Sequence, residues 1–369
     1  MSESDGAAPS PEREQLLARL RAAGVEDAEI ERAEAEGRLG ALAVELALGG
    51  RARYTLTHVA RESGLDTAFV RELMRAIGRP DPARGERLFT DDDVEHARLF
   101  KQLVDAGLPR RELLELARIV GQGMAQTADA VRRVVGDALL RPGDRIETVS
   151  LRYAQAADQL APLVPRLLGH QFRAHLRDGM QRELVTEAEL RAGRLAGTRE
   201  VGVAFADLVD YTRLGEQLPA EDLGRIAGRL AELSTAALRR PARLVKTIGD
   251  AAMFVSEDVP ALIASLRAVA ARIDDEGDAF PAVRIGAAYG PATTRGGDWF
   301  GSTVNLASRV TDASKPSRIY VSEPVVELAG GRFAWKRSRR RNLKGIDGRT
   351  RLYALLPEAS TDGDQPADA

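Results

Sequence analysis

At 369 residues and a formal net charge of −2, the chain is long enough for about two domains with separate cores. That balance gives it no overall bias toward nucleic acid or anionic lipid. It contains no cysteine, which excludes disulfides, thiolate metal sites and a cysteine nucleophile.

The opening stretch "MSESDGAAPSPERE" lacks the basic-then-apolar order of a secretion signal. The most apolar run, "ALAVELALGG", is short and carries Glu45, so no membrane span and a cytoplasmic location are expected. Residues 1–14 and 358–369 are polar and read as disordered tails. From 15 to 165 nearly every segment reads as helix, which predicts an all-α domain. "TDDDVEHARLFKQLVDAG" opens on Thr90 as N-cap with Asp93 three positions on, and closes at Gly107. Val94, Ala97, Leu99, Phe100 and Leu103 form its apolar stripe. "RPGDR" at 141–145, Pro162 and Pro165 interrupt the helices. A linker over 166–197 carries a last helix with Leu168, Phe172, Leu176, Met180 and Leu184 on one face.

After residue 197 the period changes. "VGVAFADLV" reads as a buried strand, and "PAEDLGRIAGRLAELSTAAL" as a helix with Leu223, Ile226, Leu230 and Leu233 inward. "LVKTIGDAAMFV" is a hairpin turning at Ile248-Gly249-Asp250, and "PALIASLRAVAARI" a second helix. "AVRIGAAYG" is a strand, "STVNLASRVTDAS" a short helix, and "RIYVS" and "TRLYALL" are further strands. This β-α-β-β-α-β order predicts a ferredoxin-like domain over 198–357, and an α+β chain overall.

Asp207 ends the first strand and Asp250 sits in the hairpin turn. Each alone reads as a cap or turn residue, but in this topology the first and third strands are neighbours, so both carboxylates can project at one edge. Two carboxylates with a backbone carbonyl suit a hard divalent cation shared with substrate phosphates. Two such ions can activate one oxygen and stabilise another in an in-line displacement. The amides of "LVDYTR", following Asp207, are expected to turn toward phosphate.

"VAFADLVDYT", "KTIGDAAMFV", "GDWFGSTVNLASR" and "NLKG" resemble, in order and spacing, the class III nucleotidyl cyclases over about 198–357. The resemblance implies a homodimer with active sites at its interface, converting ATP to 3′,5′-cyclic AMP and pyrophosphate with Mg²⁺ or Mn²⁺, two per site. By position, Asp207 and Asp250 match the metal-binding aspartates, with the carbonyl of Leu208 as a further ligand. Lys246 and Asp298 match the pair that reads the purine. Asn305 and Arg309 match the residues that orient ribose and stabilise the transition state, while Lys344 and Arg318 match the cations on the phosphate tail. Chemistry agrees with the base assignment: adenine offers an acceptor at N1 and a donor at N6, which a lysine and an aspartate complement, whereas guanine would want a carboxylate in place of Lys246.

"YTLTHVARESGLDTAFVRELMRAIG" looks like a helix-turn-helix turning at Gly64-Leu65-Asp66, and residues 54–118 resemble MerR-type regulators. Arg71 and Arg75 are offset by Asp66 and Glu72, so DNA binding is not expected. The competing reading is a nucleotide-sensing DNA-binding regulator. A helical domain linked to such a catalytic half also resembles autoinhibited actinobacterial adenylyl cyclases. All four histidines lie in the first half, and His170 and His175 sit on the helix leading into the second. They make that helix a candidate relay for a proton signal; a lipid signal to the helical domain is equally open.

Overall fold

The computed structural model describes residues 10–182, 197–277 and 279–357, and the chain divides into two units, Met1–Leu184 and Val185–Ala369. The first unit is helical. Its opening helices α1 (Pro11–Ala22), α2 (Asp27–Ala35) and α3 (Leu39–Gly49) bury Leu16, Leu20, Ile30 and Leu42 together with Ala154. The expected tail therefore ends earlier than composition suggested. Ser10 accepts from the Arg13 amide at 3.2 Å and Pro11 takes the first helical position, so residues 11–14 are helix; residues 1–9 lie outside the described part.

Helices α4 (Leu56–Ser63) and α5 (Thr67–Ala76) form the anticipated helix-turn-helix. Gly64, at φ 73°, ends the first, and the Asp66 carboxylate caps the second through the Phe69 amide at 2.8 Å. In α6 (Asp91–Asp105), Thr90 and Asp93 make a reciprocal capping box. Leu99 departs from the expected stripe, at 49% exposure. The 30-residue α7 (Arg110–Leu139) and α8 (Ile146–Leu160) are separated by the "RPGDR" break. The last helix, α9 (Val164–Arg182), exposes Phe172, Leu176 and Met180 rather than burying them, and Leu184 lies outside the described residues. Among the described residues no helix is long and apolar enough to cross a membrane.

The second unit is built on an eight-stranded sheet: β1 (Thr198–Leu208), β2 (Arg243–Ile248), β3 (Ala251–Ser256), β4 (Val283–Arg295), β5 (Asp298–Phe300), β6 (Arg318–Ser322), β7 (Trp335–Arg337) and β10 (Leu352–Leu355). Its order is β2-β3-β1-β4-β6-β10-β7, with β5 paired to β4; β8 (Arg341–Asn342) and β9 (Arg349–Thr350) pair separately. The strands β2-β3-β1-β4 are the ferredoxin-like core, mutually antiparallel as that topology requires. After β1 comes one turn of helix, α10 (Tyr211–Leu214), and then α11 (Ala220–Ala236). With α12 (Val259–Asp274), α11 covers one sheet face, and Leu230, Leu262, Ile263 and Leu266 pack there on Ala204, Ala206, Phe254 and Ile285.

The other face carries Val201, Val203, Met253 and Val255, covered by α13 (Ser302–Ala313). That helix sits close because β4 presents glycine beneath it. A Cβ at Gly286 would lie 2.1 Å from the Thr311 backbone nitrogen. Thr303 anchors the other end of the helix through the Pro291 carbonyl at 2.8 Å. A short α14 (Glu323–Ala329) follows β6.

Candidate active site

The candidate side chains of β1 and β4 collect on the α13 face because of strand parity. Along β1, Ala204, Ala206 and Leu208 enter the core under α12, so Val201, Val203 and then Asp207 take the opposite face. Along β4, Ile285 and Ala287 face α12, which leaves Arg284 with Gly286 on the α13 side. Register completes a row across the sheet: Ala251 opposite Asp207, Asp207 opposite Arg284, and Arg284 opposite Arg318. Asp250 directly precedes that row, in the turn made possible by Gly249 at φ 58°.

Asp207 is the most constrained member. Its carboxylate accepts from Arg284 Nε at 2.7 Å and pairs with Nη2 at 2.5 Å. Burial, foremost, pushes the Asp207 carboxyl above the ordinary aspartate value, and the nearby Asp250 and Asp312 charges add to the rise; Arg284 opposes it. Two carboxylates repelling each other in a half-buried site, with one guanidinium as counter-charge, are what a divalent cation would relieve, so the donor set fits one. Among the described residues no group of three or more acidic or histidine side chains forms a metal cluster, so backbone carbonyl, water and phosphate would complete any coordination.

Arg284 was not anticipated from the sequence. The available signal was a single cation at the head of an otherwise apolar strand, in register with the strand end that carries Asp207.

Lys246 reaches the same face through an irregularity. Leu244 opposes Phe254 on the α12 side; one further alternation would return residue 246 to that core. A bulge between Leu244 and Lys246 instead sets Lys246 opposite Met253, on the α13 side. There its ammonium pairs with Asp298 at the start of β5, whose second oxygen accepts from the Trp299 amide at 2.8 Å. Trp299 is core and Phe300 is 52% exposed.

Asn305 and Arg309 lie one turn apart on α13, with Asn305 exposed and Arg309 paired to Asp312 at 3.0 Å. Lys344 is exposed just beyond β8, beside the buried Leu343. The single chain thus brings together Asp207, Asp250, Arg284 and Arg318, and separately Lys246 with Asp298, while Asn305, Arg309 and Lys344 make no hydrogen bond or ion pair with either group among the described residues; Arg309 reaches the first group only through Asp312, whose charge acts on Asp207.

One expectation needs correcting. Of the amides of "LVDYTR", those of Leu208 and Val209 are not available to a phosphate: they donate to the Asp250 carbonyl at 3.1 Å and the Ala282 carbonyl at 2.8 Å, which leaves the expectation to the residues from Asp210 onward. They hold the hairpin turn against the end of β1, which fixes the spacing of the two aspartates.

In the first unit, Arg75 of α5 is neutralised by Asp81, which removes a cation from the helix that would read DNA. His58 stacks on Tyr54 with ring centroids 4.2 Å apart. His96 packs edge-on to Phe100, and burial pushes its imidazole below the ordinary histidine value. His170 and His175 are exposed on α9.

Comparison with known proteins accounts for both units. An adenylate cyclase regulatory domain family matches residues 3–180, and the adenylate and guanylate cyclase catalytic domain family matches 195–357. The pH-sensitive adenylate cyclase MT1302 of Mycobacterium tuberculosis is 34% identical over 83% of this chain and 78% of its own length. Adenylate cyclases of Streptomyces coelicolor and Streptomyces griseus are 32% and 33% identical, over 76% and 75% of this chain and 73% and 68% of their own.

Proposed function

The chain belongs to the adenylate cyclase family in which a regulatory domain precedes a class III catalytic domain, and from that premise we propose that it converts ATP to 3′,5′-cyclic AMP and pyrophosphate at a site built on the α13 face. The observation that carries the choice of base is the Lys246–Asp298 pair. A donor and an acceptor joined to each other at the rim of the sheet are poised to exchange that bond for adenine N1 and N6. Leaving either partner unmatched by a guanine would cost on the order of 1–3 kcal/mol.

Asp207 and Asp250, with the Leu208 carbonyl, would hold Mg²⁺ or Mn²⁺, two per site. Bound there, the metal supplies a lowered pKa for the ribose 3′-hydroxyl and charge neutralisation on the triphosphate. The 3′-oxygen forms its bond to the α-phosphorus as the bond to the β-phosphate oxygen breaks, and pyrophosphate leaves. Arg284 keeps Asp207 ionised and aimed, and lies with Arg318 at the edge where the β- and γ-phosphates would emerge. Asn305 orients the ribose, Arg309 stabilises charge developing in the transition state, and Lys344 holds the phosphate tail. Among the described residues the last three are neither hydrogen-bonded nor ion-paired to the aspartates within one chain, which supports a homodimer whose two sites are each completed by the partner subunit.

We assign the regulatory domain to 11–165, starting with α1, the helical linker to 166–197 and the catalytic domain to 198–357, with the first restraining the last. His170 and His175, exposed on α9, are where a proton signal would act. Identical activity–pH profiles for the full chain and a His170/His175 double substitution would rule them out.

The test is cyclic nucleotide formation from ATP and GTP with Mg²⁺ and Mn²⁺. Samples are the full chain, the fragment from about 194 onward, and Asp250→Ala. Cyclic AMP from ATP, lost in Asp250→Ala and faster in the fragment, is expected. ATP binding with no cyclic product from any intact sample would favour a nucleotide-sensing DNA-binding regulator.

A further inference from the structure

A cavity of about 520 Å³ in the helical unit lies between α2, α3, the link at 50–53 and Arg87. Its volume is in the range of sites that hold small molecules. Five arginines line it, at positions 32, 38, 51, 53 and 87, against two carboxylates, Glu29 and Glu45. Pairing accounts for three of the five cations. Arg51 is neutralised by Glu29 and tied to the Gly24 carbonyl at 2.9 Å. Arg38 is shared between Glu36 at 3.2 Å and Glu45 at 3.7 Å, and Arg53 is taken by Asp91 outside the cavity.

The side chains of Arg32 and Arg87 have no ion-pair or hydrogen-bond partner among the described residues. The site therefore carries two uncompensated guanidiniums, contributed by separate elements, above an apolar wall of Leu42 and Leu46.

We propose that this cavity is a ligand site for a phosphate monoester carrying a small apolar group. A dianion can engage both unpaired guanidiniums at once. A tetrahedral phosphate offers oxygens in divergent directions to two planar forks arriving from different elements, which a single carboxylate cannot do. The leucine wall takes the apolar part, so a bare anion leaves part of the cavity's chemistry unused. The site lies wholly within the regulatory unit and involves none of the residues assigned to catalysis, so the inference stands apart from the reaction proposed above.

The test is calorimetric titration of the full-length chain with benzyl phosphate and, separately, inorganic phosphate. One saturable site per chain is expected for benzyl phosphate, with weaker binding of inorganic phosphate. Arg32→Gln/Arg87→Gln should weaken benzyl phosphate on the order of tenfold or more, since each charge-assisted contact is worth more than one decade of affinity. Both side chains are exposed and unpaired, so the substitutions remove no ion pair or side-chain hydrogen bond from the fold. Arg32→Lys/Arg87→Lys, which keeps the charge and loses the fork, should fall between the two, and Asp250→Ala should bind as the parent does. The proposal is overturned by an absence of saturable heat in the millimolar range, by unchanged affinity in the glutamine variant, or by loss of binding in Asp250→Ala, which would assign the ligand to the catalytic unit.

Discussion

The two units place their charged and apolar groups in opposite ways. In the catalytic unit the ion pairs that matter are few, partly buried and in register with a sheet: Asp207 with Arg284, and Lys246 with Asp298. In the helical unit most ion pairs join side chains that are each a third or more exposed, such as Arg21–Asp27 and Arg75–Asp81, where water screens them and their worth is small. Apolar groups follow the same division. Of the large hydrophobic side chains exposed among the described residues, sixteen belong to the helical unit and four to the catalytic unit. The catalytic unit therefore keeps its chemistry in preset internal geometry, while the helical unit offers surfaces and a cavity. A regulatory domain needs responsive surfaces; a catalytic one needs fixed charges.

That contrast can be broken most sharply at Asp207. Asp207→Ala should reduce cyclic AMP formation about 10³-fold, equivalent to several kcal/mol of transition-state charge stabilisation. Thermal stability should not fall with it, because burial already disfavours the ionised carboxylate in the fold. Steady-state rates with melting curves on the same samples check both halves; a large loss of stability would make Asp207 a structural residue instead.

A smaller effect is expected for Lys246→Ala. The preference for ATP over GTP should narrow by about 10–100-fold, the range set by one unmatched polar partner. Competition between the two nucleotides measures it directly, and an unchanged ratio would place base reading elsewhere.

Arg284→Ala sharpens the electrostatic side of the comparison. Arg284 opposes the rise in the Asp207 pKa, so its removal lets that pKa climb further. The acid limb of the activity–pH profile should then move to higher pH, since the carboxylate must be ionised to ligate metal. A vertical loss of rate with no displacement of the limb would mean that Arg284 contacts substrate without tuning Asp207.

The least effect belongs to the helical unit. His96 titrates lower in the fold than in the unfolded chain, so the unfolded chain binds the extra proton and stability falls as pH drops below the ordinary histidine range. His96→Gln should flatten the stability of the full chain between pH 7.5 and 5.5, read from denaturant midpoints. Equal slopes in parent and variant would remove His96 as a source of acid sensitivity.

How far the sequence could be read follows the same line. Asp207 and Asp250 were legible because strand alternation and a glycine turn are local signals, and both survive in the structure. The face that Lys246 occupies was not, because a bulge is a property of two strands: nothing in "LVKTIG" alone says that residue 246 pairs with Met253. Arg284 was hidden for the same reason, its meaning coming from the register with β1. At the N-terminus the composition of "SPERE" outweighed its local pattern, although Ser10 followed by Pro11 is itself a helix-start signature. The exposure of Leu99 and of the apolar face of α9 depends on what packs there, which periodicity does not encode.

The central claim is that the site needs residues from two copies of the chain. The most direct measurement mixes Asp250→Ala with Asn305→Ala, each nearly inactive alone, and follows cyclic AMP from ATP after subunit exchange. Random reassortment makes half the dimers mixed, each with one intact site of two, so activity should recover to about a quarter of the parent value. Recovery near that level is the result predicted here. Dimers that exchange subunits and bind ATP yet form no cyclic AMP would contradict a site shared across the interface.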